Sequence, residues 1–122
     1  MYIKFEALGI KRSPLLYVSA KTREITMANK WASILFDIPK EELIGKNFFF
    51  WIDKENTTFD SIEQLTNNVF KEKRNWRGFV RGIRGDDFYW VELSSTYVPS
   101  TDEFSIVLNE PSELDLQKLL KS

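Results

Sequence analysis

The groups able to do acid–base chemistry in this chain are carboxylates, lysines, tyrosines and serines, because it contains neither histidine nor cysteine. The commonest general base, the commonest metal ligand, thiolate nucleophiles, disulfides and cysteine-based zinc sites are therefore excluded. Glu41 with Glu42 and Asp86 with Asp87 are carboxylates adjacent in sequence. Neighbours in sequence point apart on any regular element. Neither pair offers the separation that two-carboxylate hydrolysis requires. A solvated helix start and a solvated turn account for them. Residues 71–74, Lys-Glu-Lys-Arg, read as a mixed charge run at a helix end, where cations complement the dipole. We expect no enzymatic activity.

Binding asks less of the residues than catalysis does. In the apolar run after residue 87, alternation puts Val91, Leu93 and Ser95 on one face and Trp90, Glu92 and Ser94 on the other. Glu92 belongs in water, so the first set faces inward. Its expected neighbours are Leu16, Val18, Ile25, Met27, Ile34, Leu35, Phe59, Ile62, Trp76, Val80 and Ile106. A ligand space would be lined by Asn29, Trp31, Leu35, Ile62, Trp76, Val80, Val91, Leu93, Ser95 and Ile106. The same side chains can simply pack, since interiors close to high density unless something is bound. Trp31, Phe50 and Trp76 would fill room that smaller residues leave open. Each polar candidate also has a plain role. Asn29 suits a helix cap, Ser95 can bond local backbone, and Arg81 belongs outside with its charge solvated.

These residues need elements to hold them. Hydrophobic content of 43% suffices for a core without disulfides or metal. Lys+Arg number 17 against 18 Asp+Glu, so no basic excess points to nucleic acid. The longest apolar run, 48–52, is far too short to span a bilayer. The first residues lack the order of a signal peptide, and a cytoplasmic domain is expected. Tyr2, Phe5 and Leu8 recur at three and Gly9 marks a stop, predicting a short amphipathic helix over 1–9. Leu15–Ser19 and Ile25–Ala28 read as strands around a polar turn. Asn29 then caps a helix on which Trp31, Ile34 and Leu35 share a face, and Pro39 opens a second turn that Gly45 closes. Residues 48–52 leave helix and strand open. Phe59, Ile62, Leu65 and Val69 predict a longer helix from Thr57.

After Arg74 the period changes to two, with Trp76, Gly78 and Val80 alternating with Arg77, Phe79 and Arg81. Gly85 and Asp86 form a hairpin turn with Gly first, and strands follow over 88–98 and 104–108. Ser112, with Asp115 at the capping-box position, starts a helix striped by Leu116, Leu119 and Leu120. Runs of strands separated by a block of helices indicate an α+β domain with an antiparallel sheet.

Residues 24–46 resemble the opening of a PAS domain. A β-prone run enters Asn29, an apolar helical segment ends in Leu35-Phe36, and Glu41-Glu-Leu-Ile-Gly45-Lys follows. Trp76-Arg-Gly78 resembles the Trp-x-Gly that begins the first long strand of the family's hairpin. Residues 87–90 resemble the start of the strand after it, and Ser94, Ser95, Val98 and Pro99 resemble its exit. Two places depart. The turn has Gly85-Asp86 where the family more often has Lys-Asp-Gly, which puts the register of residues 78–84 at issue. Asn109-Glu-Pro-Ser112 stands where the family favours Asp-Ile-Thr, a motif that often links the core to the outgoing helix through a charged pair. Glu110 is the carboxylate left to replace it.

The resemblance covers residues 15–120 and implies a PAS-like α+β fold. This is a five-stranded antiparallel sheet with short helices on one face, plus flanking helices at both ends. Residues 1–10 would form the N-terminal flanking helix, 11–110 the core, and 111–122 the start of a C-terminal signalling helix. It further implies a sensory domain of a signal-transduction protein, expected as one piece of a longer chain. Such a domain binds a small ligand or cofactor, or relays a signal to an effector outside these residues. That effector would be of histidine kinase (two-component), diguanylate cyclase or chemoreceptor type. The alternative is a ligand-free dimerisation and interaction module. Haem sensors of the family typically hold iron through His, and the photosensing branch needs Cys for its flavin adduct, as does a p-coumaroyl chromophore. None of these residues is present. Noncovalent flavin stays open, since it needs an apolar slot and a few amide or hydroxyl partners such as Asn29 and Ser95. The expected partner is a second copy, joined through the flanking helices and the sheet face carrying Trp90 and Phe79. The N-terminal helix is the other candidate cover for that face.

Overall fold

The structure, a computed structural model, describes residues 1–121, the side chain of Phe59 excepted. The expected inward placement of Phe59 lies outside the described residues. Leu15–Ser19 (β1), Ile25–Ala28 (β2), Trp76–Arg84 (β3), Asp87–Val98 (β4) and Glu103–Asn109 (β5) form one sheet in the order β2-β1-β5-β4-β3. All four pairings are antiparallel. The two ends of the chain thus meet at the sheet's centre, with Leu16 opposite Ile106. The β3–β4 hairpin turns on Gly85 and Asp86, with Gly85 at φ 63° and Arg84 paired to Asp87. The departure from the usual turn leaves the register intact, and Val80 faces Val91.

Between β2 and β3 lie Lys30–Phe36 (α1), Lys40–Leu43 (α2), a 3₁₀ turn at Phe48–Trp51, and Phe59–Gln64 (α3). Asn29 caps α1 by accepting from Ala32 N–H at 3.0 Å. It also accepts from Leu15 N–H at 3.1 Å and donates to the Ser13 carbonyl. One amide therefore fastens the helix start to the start of β1. Ala32, Leu35 and Phe36 are the buried residues of α1, whereas Trp31 and Ile34 sit at the rim. The expected Trp31–Ile34–Leu35 face is rotated toward Phe36. The single helix expected from Thr57 changes after Gln64 into π-helical turns over Leu65–Lys71. Widening the turn brings Leu65, Val69 and Phe70 onto the core together.

Three further expectations change. Met27 pairs with Tyr17 on the outer face, because the register slips beside it and brings Ile25 and Ala28 inward. Phe50 points to solvent at 41% exposure, while Phe48 and Trp51 turn in. The predicted helix over 1–9 contracts to a 3₁₀ turn at Glu6–Leu8, stopped by Gly9 at φ 74°. Residues 1–3 run beside β4 instead, where Ile3 N–H donates to Phe88 O at 2.8 Å and Phe88 N–H to Met1 O at 3.0 Å. β5 pairs with β4 only from Glu92 onward, so the backbone of Phe88 has bonding groups open to this segment.

Glu113–Lys121 (α4) starts at Ser112, whose Oγ accepts from Asp115 N–H at 3.2 Å and donates to the Asp115 carboxylate at 3.0 Å. The carboxylate expected to couple core and exit is Glu110. It accepts from the backbone N–H of Phe5 at 2.8 Å, tying the first segment to the end of β5. No helix among the described residues is long and apolar enough to cross a membrane.

Candidate functional site

The inner sheet face brings together Leu35, Val80, Val91, Leu93, Ser95 and Ile106 of the predicted lining. Trp31, Ile62 and Trp76 stand at its rim. Asn29 is spent on the cap described above. Trp76 lies over Gly78, where an added Cβ would fall 2.3 Å from the indole, and its Nε1–H donates to Gln64. Ser95 is 2% exposed, and its Oγ has no hydrogen-bond partner among the described residues.

What fills the space between sheet and helices is a set of rings that the candidate list omits. Trp51 stacks on Tyr89 with centroids 6.1 Å apart and planes at 9°. Phe36 and Phe48 flank Trp51 at 5.3 and 5.7 Å, and Phe70 bridges Phe48 to Phe104 at 5.6 and 5.1 Å. Tyr89 lies on Gly82, where an added Cβ would be 2.2 Å from the ring. The alternation that placed Val91 and Leu93 inward reaches Tyr89 when extended by one step. Trp51 carried no such signal, because a 3₁₀ turn has neither strand nor α-helical periodicity.

A side chain bordering a cavity wide enough for water retains accessible surface. Leu35, Val80, Tyr89, Val91, Leu93, Phe104 and Ile106 are all 0% exposed. An isoalloxazine ring therefore does not fit this interior as packed. The rings also carry buried donors, since Tyr89 Oη and Trp51 Nε1 have no hydrogen-bond partner among the described residues. Burial holds the Tyr89 phenol well above its ordinary pKa, against the opposing charge of Arg84. No group of His, Cys, Asp or Glu able to hold a metal ion occurs among the described residues.

The outer face is built differently. Glu92 pairs with Arg77 at 2.7 Å, as befits a solvated strand face. Trp90 is nevertheless 7% exposed, and it and Leu116 of α4 are buried apart from the main core. Phe79 is half-buried. Arg81, expected in free solution, is instead partly covered. Its Nε lies 3.2 Å from Asp53 Oδ2 and its guanidinium sits 3.5 Å over the Phe88 ring. Asp53 reaches it because the segment after Trp51 runs along the β3 edge, with Asp53 N–H donating to Arg81 O at 2.8 Å. Tyr2 packs on Phe88 with centroids 5.8 Å apart.

Burial first, then Glu110 and Glu113, push the Tyr2 phenol up to about 12. A phenol raised in the folded state ionises first in the unfolded chain. Stability is therefore undiminished below pH 10 and falls as pH rises from 10 toward 12. Tyr89, and Tyr97 through its bond to Asp102, are raised as well and add to this loss. We expect urea midpoints to drop across that window, and Tyr2→Phe to shrink the drop. An unchanged alkaline profile in Tyr2→Phe would contradict the placement of Tyr2.

No family model and no curated protein matches the sequence. Solved structures do match. The LOV domain of the blue-light activated histidine kinase of Erythrobacter litoralis EL346 is similar at TM-score 0.70 and 13% identity, covering 80% of this chain and 94% of that one. The PAS domain of the fruit-fly ELK potassium channel matches at 0.70 and 12%, covering 83% and 88%. A PAS domain of a Colwellia psychrerythraea protein matches at 0.66 and 15%, covering 88% and 93%. At these identities the likeness is one of fold. What these structures share with this chain is the PAS fold.

Proposed function

We propose that this chain is a non-catalytic relay module of a signal-transduction protein, working without a flavin-sized cofactor in its interior. The observation that carries this is the closed aromatic interior around Trp51 and Tyr89. With that space filled, the elements left to transmit a signal are the two flanks. They adjoin at Lys4 and Glu113, 3.8 Å apart, and at Phe5 and Glu110. Two of the similar domains named above belong, by their printed names, to a histidine kinase and a channel. An effector joined to this chain, of histidine kinase or another type, is our inference from that likeness. So is a second copy as partner, meeting through α4 and the sheet face with Phe79.

A sensing role for a small polar ligand is the second reading, favoured by the unpartnered Ser95 Oγ, Tyr89 Oη and Trp51 Nε1. The deciding experiment is the visible spectrum of natively purified protein, together with its melting temperature in FMN, FAD and riboflavin. We expect colourless protein and no shift. Yellow protein, or a saturable rise in melting temperature, would overturn the relay reading, since binding to the folded state must stabilise it.

A further inference from the structure

The outer face holds a cleft of about 510 Å³ between the end of α4 and the sheet. Phe88 and Trp90 line it together with Leu119 and Leu120 of α4, and Arg81 with Thr57 and Thr58 supplies its polar side. We propose that this cleft binds a small carboxylate with a flat apolar body, the acid held by Arg81 and the body laid on Phe88 and Trp90.

The argument rests on what each group still has to offer. Arg81 Nε lies 3.2 Å from Asp53 Oδ2 as an ion pair without hydrogen-bond geometry, on the side of the guanidinium away from its fork. Its two amino groups have no hydrogen-bond partner among the described residues, and the side chain is 24% exposed. A guanidinium fork matches a carboxylate with two parallel hydrogen bonds. Contact with Phe88 at 3.5 Å fixes the plane of that fork, so little further order is needed to bind. Asp53 does not compete for the ligand's position. It is 8% exposed and already accepts from Asn56 Nδ2 at 2.8 Å. Glu55 also lines the cleft, and its exposed carboxylate disfavours an anion on its side. That repulsion leaves Arg81 as the anchor. The apolar floor and the leucine wall reward a planar hydrophobic body over a bare anion.

The site goes beyond the relay reading, which places no ligand anywhere. It connects to that reading in one respect, because a ligand here lies against α4. The test uses 2-naphthoate and its uncharged counterpart 2-naphthamide on the full chain. We expect naphthoate to raise the melting temperature saturably and naphthamide to bind at least about tenfold more weakly, as loss of a charge-assisted pair implies. The Trp90 indole resonance should shift on titration and the Trp51 indole should not. Arg81→Gln should abolish the preference for the acid. Because that change also leaves Asp53 without its cation, Leu120→Glu at the exposed wall provides a second variant, expected to weaken naphthoate at least fivefold. Equal binding of acid and amide, shifts centred on Trp51, or full affinity in Leu120→Glu would each overturn the proposal. Hydrogen exchange of α4 separates the two readings. Binding with unchanged α4 exchange keeps the site and removes α4 as a relay.

Discussion

Gly82→Ala should lower the melting temperature by about 10 °C, the equivalent of about 3 kcal/mol in a domain of this size. Alanine is ordinarily better than glycine inside a strand by some tenths of a kcal/mol. Gly82 is not at positive φ, so its backbone would accept a side chain. Space decides the sign. The new Cβ would stand 2.2 Å from Tyr89 Cζ and 2.6 Å from its Oη. The ring cannot retreat, because Trp51 stacks on it and is in turn held by Phe36 and Phe48. Gly78→Ala offers the contrast. Its Cβ meets Trp76 at a similar 2.3 Å, but Trp76 is half-buried at the rim and can swing toward solvent at the loss of its bond to Gln64. We expect about 1 kcal/mol there. A double-mutant cycle checks the cause. In a Tyr89→Leu background, Gly82→Ala should cost less than about 1 kcal/mol. An equal cost in both backgrounds would show that the ring is not what the methyl meets.

Trp51→Ala should be the most damaging truncation, at about 3–5 kcal/mol. The indole is 2% exposed and touches rings on two sides. Total stability of a small domain is about 5–15 kcal/mol, so this variant stands near the edge of folding. Trp51→Phe should cost much less. It keeps a ring in place and removes Nε1–H, a buried donor without a partner among the described residues. Added indole provides the discriminating measurement. It should raise the melting temperature of Trp51→Ala and leave the parent protein unmoved, since an apolar hole binds the group it lost. A loss below about 1 kcal/mol, or rescue of both proteins alike, would mean that the interior is not closed as described.

Much of this architecture was legible in local patterns. Leu15–Ser19 and Ile25–Ala28 emerge at their predicted bounds, because short β-prone runs between turn residues leave few alternatives. Asn29 and Ser112 act as caps for the reason their side chains predicted, an oxygen placed to accept from the first turn. Period two fixed the facing of Val91, Leu93 and Ser95, and of Val80 opposite Val91. The errors came where local and tertiary demands diverged. Tyr2, Phe5 and Leu8 keep a helical spacing, yet residues 1–3 satisfy the backbone of Phe88 in preference to an isolated short helix, which is marginal alone. Met27 obeys alternation until the slip in register reverses it.

The amino-acid order by itself determined the five strands, the block of helices between β2 and β3, and the absence of cysteine and histidine chemistry. Each of these depends on neighbours within a few positions or on composition alone. Tertiary structure decided whether the interior is a pocket or a packed core, and where Trp51, Tyr89 and Arg81 point. Those outcomes depend on volumes and charges contributed by strands and turns far apart in the chain. The Trp51 ring comes to rest on Tyr89, and Asp53 meets Arg81, only after the β3 edge has gathered the segment that carries them.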